Sequence, residues 1–347
     1  MRVETPVARL LLDSQAGGPE SPPPAIPGLV WAFRTRPDGS AEPLAIDQPI
    51  SLTQSGLIWL HFNLADARAL QWLASAGLEM PAVARSLLLS SDTYQQLHAS
   101  GDCIYGVISD LKRDIAQATE ETGYLHFAMT ERILISGRHH ALCAVDATRR
   151  ALEDGRRIES VAALFETIIE NVADTMERMA DRIAQSLDEI EEQVLSDDAS
   201  DLRQNLGRLR RTCVRLHRQL SGLRIVFHRL EQKNLGELKP ALQLRAGKLA
   251  QRLDALDHAV VEMRERSRVL QEELHLKIEE QGNNSLRVLS VLTALLMPPT
   301  LVTGIFGMNT KGLPLTDVET GFLWAALLML LSSVAAYLVM RRIGLIR

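Results

Sequence analysis

The sequence predicts an α+β body with long coiled-coil-like helices, followed by a two-helix transmembrane hairpin. Three observations predict it. Positions 288–340 hold only three charged side chains, Lys311, Asp317 and Glu319, although 23% of the whole chain is charged. Ahead of that stretch, apolar residues recur at steps of three and four from Phe165 to Leu274, the signature of packed helices. Ahead of those, short apolar runs are separated by turn residues. The 347 residues carry 38 Lys+Arg against 43 Asp+Glu, a net charge of −5. That balance lacks the basic footprint of a nucleic-acid binder, and the apolar tail argues against a purely soluble enzyme.

The expected segments are a flexible lead-in over 1–28, an α/β domain over 29–158 and a long-helix bundle over 159–284. A first span over 285–308, a loop over 309–320, a second span over 321–340 and a basic tail over 341–347 follow. The lead-in is rich in Gly, Pro and Ser. Strands are expected at Leu29–Arg34, Leu57–Phe62, Ile104–Leu111, Tyr124–Met129 and Ile133–Ser136, with a turn at Pro37-Asp38-Gly39. Ala65–Ala76, Pro81–Leu89 and Ala147–Glu153 read as helices.

Three apolar seams then succeed one another. The first runs from Phe165 through Ile168, Val172 and Met176 to Val194. Ser196–Ser200 interrupts it, with Ser200 a suitable N-cap. The second runs from Leu202 through Cys213 and Leu220 to Leu230, and Gly236 and Pro240 break it. The third runs from Leu249 to Leu274 and meets no strong breaker before Leu296, so it is expected to continue into the first span. The charged residues between seam positions read as solvated faces.

Val288–Met308 and Gly321–Met340 are free of charge. At 1.5 Å per residue each covers about 30 Å, the thickness of a hydrocarbon core. A short loop makes them a hairpin with both ends on one side. Arg341, Arg342 and Arg347 follow the second span, and positive charge marks the cytoplasmic side. No secretory leader is recognisable at the start, and Cys103, Cys143 and Cys213 offer neither a disulfide framework nor a CxxC site. Both termini are therefore expected in the cytoplasm. Pro298-Pro299 should bend or loosen the first span.

One face of that span reads Asn283, Leu286, Ser290, Thr293, Met297, Thr300, Gly304, Gly307. Small and hydroxyl residues of this kind serve either tight helix–helix packing or a wet pore wall. The length of the stripe favours the pore. Two spans cannot enclose a conduit, so several copies must surround an axis. The acidic body would then bias the approach toward cations.

The first span ends in Gly307-Met308-Asn309. This tripeptide, at the end of the first of two C-terminal spans behind a large α/β domain and long helices, resembles the signature of the CorA superfamily of metal ion transporters. Asn283–Arg287 and Pro299–Gly304 also fit, and the likeness covers all but the first 28 residues. Magnesium-type members usually carry an acidic, Met-Pro-Glu-like loop after the signature. Here the loop reads Thr310-Lys311-Gly312-Leu313-Pro314-Leu315, then Gly321-Phe322-Leu323-Trp324, which is similar to the ZntB (zinc transporter) branch. Lys311 departs from the commoner Gly and adds a positive charge that opposes cation capture. The resemblance implies a CorA-like homopentamer in a bacterial inner membrane, Zn2+ as the transported ion, other divalent cations as further partners, and proton-linked uptake. No cofactor is expected, and the acidic charge balance points to no nucleic-acid partner.

At the mouth, Gly307 allows close backbone approach and Asn309 offers neutral amide oxygens that can hold an ion's hydration shell without trapping it. Met308 is expected to pack on a neighbouring helix. Zinc prefers His, Cys and carboxylate ligands, and 286–307 contains none, so zinc would pass hydrated. Candidate ligands outside the span are His275, Glu279 and Glu280, and the i,i+4 pair Cys213 and His217; seam and surface roles compete for that pair. His139-His140 would point apart on a strand. No ionisable side chain lies in either span, so protons would travel with water. Two alternatives stay open: a Mg2+ or Ni2+/Co2+ channel of the same superfamily, and a membrane-anchored coiled-coil scaffold or sensor without a conduit. No P-loop, Rossmann, GxSxG or HExxH motif points to an enzyme.

Overall fold

The computed structural model describes residues 26–48, 50–51, 55–114, 117–195, 202–232, 239–308 and 320–344. The chain divides into two compact units, Met1–Leu195 with Gln204–Arg268, and Ser196–Arg203 with Val269–Arg347.

The first unit contains a seven-stranded mixed sheet. Its strands are β1 (Leu29–Thr35), β2 (Ala41–Pro43), β3 (Ile58–Asn63), β4 (Gln96–Ser100), β5 (Cys103–Asp114), β6 (Gln117–Met129) and β7 (Ile133–Arg138), in the order β2-β1-β3-β7-β6-β5-β4. Among the described residues only β3 and β7 pair in parallel, Ile58 opposite Ile133 and Leu60 opposite Ile135. They lie at the centre, and five of the six β3 residues are buried. Burial on both faces explains the unbroken apolar run Ile58–Leu60, where a half-exposed strand would alternate.

Helices α1 (Ala67–Ser75), α2 (Ala82–Leu88) and α3 (Cys143–Glu153) cover the sheet. The Asp66 carboxylate accepts from the Arg68 amide and starts α1. Helix α3 starts four residues before the predicted Ala147. The carboxylate of Asp110, on β5, accepts from the Ala144 amide at 2.8 Å. The helix start is thus supplied by a distant strand and leaves no local mark. The predicted turn is present: Asp38 Oδ1 accepts from the Ser40 amide at 3.0 Å, and Gly39 has φ 81°.

Strands β2 and β4 were not expected. Both are edge strands, short and at most half-buried, so no alternation of apolar residues announces them. Strands β5 and β6 form one long hairpin, with Asp114 opposite Gln117. Its polar outer end exceeds the predicted Ile104–Leu111 and Tyr124–Met129, because the ladder of backbone hydrogen bonds continues where the apolar pattern stops.

Three long helices follow. Helix α4 (Val161–Leu195) is capped by Ser160, whose hydroxyl accepts from the Ala163 amide at 3.1 Å. Helix α5 spans Leu202–Gln232, and α6 spans Ala246–Phe306. The predicted seams are the buried faces: Phe165, Ile168 and Val172 on α4, Leu206, Leu220 and Phe227 on α5, and Leu253 and Val260 on α6 are at most 1% exposed. Phe165 meets Phe127 of β6 at 4.2 Å between ring centroids and anchors α4 to the sheet. Charges between seam positions often reach the neighbouring helix. Arg252 pairs with Asp174 and Glu177, Arg266 with Asp188 and Glu191, and Arg245 with Glu166. Residues 1–25 of the lead-in, the Ser200 cap and Gly236 lie outside the described residues.

The second unit contains the apolar end of α6 and helix α7 (Gly321–Arg342). Both are long and apolar enough to cross a membrane, with mean hydropathies of 1.8 and 2.2 in their most apolar windows. Helix α6 runs without a break through Pro298 and Pro299. Neither proline has an N–H, so the carbonyls of Ala294 and Leu295 lack their i+4 donors.

Candidate ion path

The apolar end of α6 has two unlike faces. Val291, Leu295, Pro298, Val302 and Phe306 are partly or fully buried within the hairpin, Val302 most of all. Their spacing of three and four residues makes one face. On α7 the more protected positions are mainly small: Ala325, Ala326, Ser332, Ser333 and Ala336, with Met329 and Met340. Small residues let two helices approach closely in lipid. Arg287 Nη2 reaches the carbonyl of Gly344 at 3.1 Å and ties the base of the hairpin.

The predicted stripe lies on the other face of α6. Leu286, Ser290, Thr293, Met297, Thr300 and Gly304 are all exposed. By helical phase the stripe is about 180° from Val302 and its neighbours. A groove of about 690 Å3 is cut into this face, lined by Thr293, Met297, Thr300 and Gly304 among others. Gly304 contributes no side chain, and a Cβ placed on it would meet nothing within 4 Å.

The hydroxyls on the stripe are oriented by the helix itself. Thr293 donates to the Leu289 carbonyl at 2.8 Å, and Thr300 donates to the Leu296 carbonyl at 2.7 Å. Each proton is committed to the backbone, so each oxygen presents lone pairs outward. Such a surface offers acceptors to water or a hydrated cation without any fixed charge.

The helix closes at the predicted mouth. The Gly307 amide still donates to Thr303 at 2.9 Å, and the Met308 amide reaches Ile305 at 3.2 Å. A Cβ on Gly307 would stand 3.0 Å from the Thr303 carbonyl, so the turn is tight enough to favour glycine. Met308 is 53% exposed in the single chain. Asn309, Lys311 and the rest of the loop through Glu319 lie outside the described residues, as does Arg347. Asn283, also exposed, precedes the stripe.

The candidate metal ligands on the long helices take other partners. Cys213 is fully buried in the α5 seam, and burial pushes its thiol up to about 11. His217 Nδ1 instead lies 2.6 Å from Asp257 Oδ1 on α6. His275 Nε2 is 3.4 Å from Glu279, an exposed i,i+4 contact, and Glu280 is exposed beside them. Among the described residues no three His, Cys, Asp or Glu side chains converge to hold a metal ion. His139 faces His126 edge-on at 5.8 Å rather than joining His140. Sequence patterning missed the half-buried face of α6 at Val291, Leu295 and Val302; the spacing was visible, but within an all-apolar segment it could not be told from lipid-facing residues.

The family model described as CorA-like Mg2+ transporter protein matches residues 54–342. The zinc transport protein ZntB of Klebsiella pneumoniae is 22% identical over 301 residues, which cover 86% of this chain and 90% of that protein. Among solved structures, the full-length CmaX protein aligns with a TM-score of 0.75 and 25% identity over 91% of this chain and 97% of that one. The CorA magnesium transporter from Methanocaldococcus jannaschii aligns with a TM-score of 0.68 and 20% identity, over 91% and 99% of the two chains.

Proposed function

The chain belongs to the CorA-like Mg2+ transporter protein family, and from that premise we propose that its cargo is Zn2+, taken up through a pore on the axis of a homopentamer. The family makes the chain a divalent-cation transporter and not an enzyme. The finer reading places it in a bacterial inner membrane with both termini cytoplasmic, Arg341 and Arg342 on the positive-inside face. Zinc is favoured by relatives named as zinc transport proteins across most of the chain.

One observation carries the pore reading. The stripe from Ser290 to Gly304 lies opposite the face that the hairpin buries. A stripe used for packing within the hairpin would have been covered. Copies around an axis would instead turn these faces toward one another and enclose the Thr293 and Thr300 oxygens. The ion would pass with its water, because the span from Leu286 to Gly307 has no His, Cys or carboxylate to replace the hydration shell. Gly307, Met308 and Asn309 would form the mouth, where neutral oxygens hold a hydrated ion loosely enough to release it.

The description of the matching family favours a second cargo, Mg2+. Purified protein in vesicles, offered zinc or magnesium with and without an inward proton gradient, separates the two. Zinc flux that exceeds magnesium flux and rises with the gradient is expected. Magnesium flux alone moves the assignment to the second cargo, and no divalent flux removes the conduit.

A further inference from the structure

The first unit has a cavity of about 390 Å3 between β1, the β2 region and α3. Pro43, Leu44 and Ile46 give it an apolar wall, and Arg113, Arg138 and Arg149 face them with Asp146 and Glu153. Charge there is unevenly matched. Asp146 receives Arg113, Arg149 and Arg150, and Arg149 also grips Glu153 at 2.6 Å. Three guanidinium groups thus share two carboxylates. Among the described residues Arg138 has no carboxylate within ion-pair distance.

Arg138 is nevertheless held in place. Its Nε donates to His61 Nε2 at 3.1 Å. His61 is fully buried, and its Nδ1 lies 2.8 Å from Ser136 Oγ, which also accepts from Trp59 Nε1 at 2.8 Å. Arginine cannot accept a hydrogen bond, so Nε2 of His61 is the acceptor and its proton sits on Nδ1. A chain of buried polar groups therefore fixes one edge of the guanidinium of a residue that lines the cavity. Burial and the neighbouring Arg113 hold the Arg138 pKa below its ordinary value.

Trp31, which also lines the cavity, stacks on His61 at 4.2 Å. An arginine without a carboxylate among the described residues, in a cavity with more guanidinium than carboxylate groups, is the complement of an anion.

We infer that this cavity binds a small phosphate ester, with the phosphoryl oxygens on the Arg138 fork and Arg113 and the ester's apolar body against Pro43, Leu44 and Ile46. The phosphoryl group meets the surplus guanidinium charge at the cavity, and Arg138 supplies the planar fork that such oxygens fit.

Phenyl phosphate titrated calorimetrically into the detergent-solubilised full-length protein tests this, with sodium chloride at matched ionic strength as the blank. One site per chain is expected, at least tenfold tighter than for inorganic phosphate. Arg138→Gln should weaken binding at least tenfold, whereas Arg150→Gln, on the exposed side of Asp146, should leave it within twofold. Should Arg138→Gln fail to fold, Ile46→Glu places a negative charge on a residue already 43% exposed at the rim and should weaken binding by the same factor. Absence of heat above the chloride blank, or wild-type affinity in Arg138→Gln or Ile46→Glu, overturns the site. Equal affinity for inorganic phosphate overturns the ester. None of these readouts depends on ion flux.

Discussion

Thr300 commits its hydroxyl proton to the carbonyl of Leu296, 2.7 Å away and one turn earlier on α6. The oxygen is left as an acceptor on the face that carries Gly304 and the groove. Thr300→Val keeps the shape of the side chain and removes that oxygen. It should lower divalent flux in vesicles roughly tenfold, about 1.4 kcal/mol at the barrier, with unchanged helix content by circular dichroism. Wild-type flux would show that the oxygen does not meet the ion.

Cysteines placed singly along α6 should divide by face. Thr293→Cys, Thr300→Cys and Gly304→Cys should react with a charged thiosulfonate, and Val291→Cys, Leu295→Cys and Val302→Cys should not. The native thiols give little background. Burial raises Cys103 and Cys213 to about 11 and Cys143 to about 12, and the thiolate is the reacting species. Equal labelling of both faces would contradict a single wet face.

Asn309→Leu should abolish transport while the assembly survives on size-exclusion chromatography. Leucine has a similar volume but no oxygen for an ion's hydration shell. Near-normal uptake by this variant removes Asn309 from the mouth.

Phe165→Ala should destabilise the first unit by about 3–5 kcal/mol, the usual cost of an aromatic cavity in a core. Phe165 is fully buried and packs on Phe127, so both the bundle and its docking on the sheet lose contacts. A shift of the denaturant midpoint with an unchanged slope measures it.

Asp110 should give the first unit an inverted acid response. Burial raises its carboxyl to about 7, although the Ala144, Leu111 and Val145 amides act to lower it. Between the ordinary carboxylate pKa of about 4 and about 7 the folded chain keeps a proton that the unfolded chain has released. Stability from this group is therefore greatest at low pH and falls as pH rises through that window. Asp110→Asn should flatten the pH dependence of the melting temperature there. An unchanged slope would show that the carboxylate ionises normally in the fold.

Much of this molecule is written in local pattern. The two charge-free runs, the three seams from Phe165 to Leu274 and the Gly307-Met308-Asn309 end of the first span can be read from neighbours a few residues apart, because helix periodicity and membrane length are properties of one segment. What depended on distant partners was hidden. Edge strands β2 and β4 exist only because β1 and β5 offer them hydrogen bonds, and α3 starts where Asp110 caps it. Cys213 and His217 share a helix face in the sequence, but packing buries the first and turns the second to Asp257. Patterning likewise marked Ser290, Thr293, Thr300 and Gly304 as one stripe without saying which side of α6 the hairpin covers. The tertiary structure decided that, and it decided that Arg138 would be fixed by His61 yet left without a carboxylate among the described residues, since burial and pairing are set by residues 75 or more positions apart.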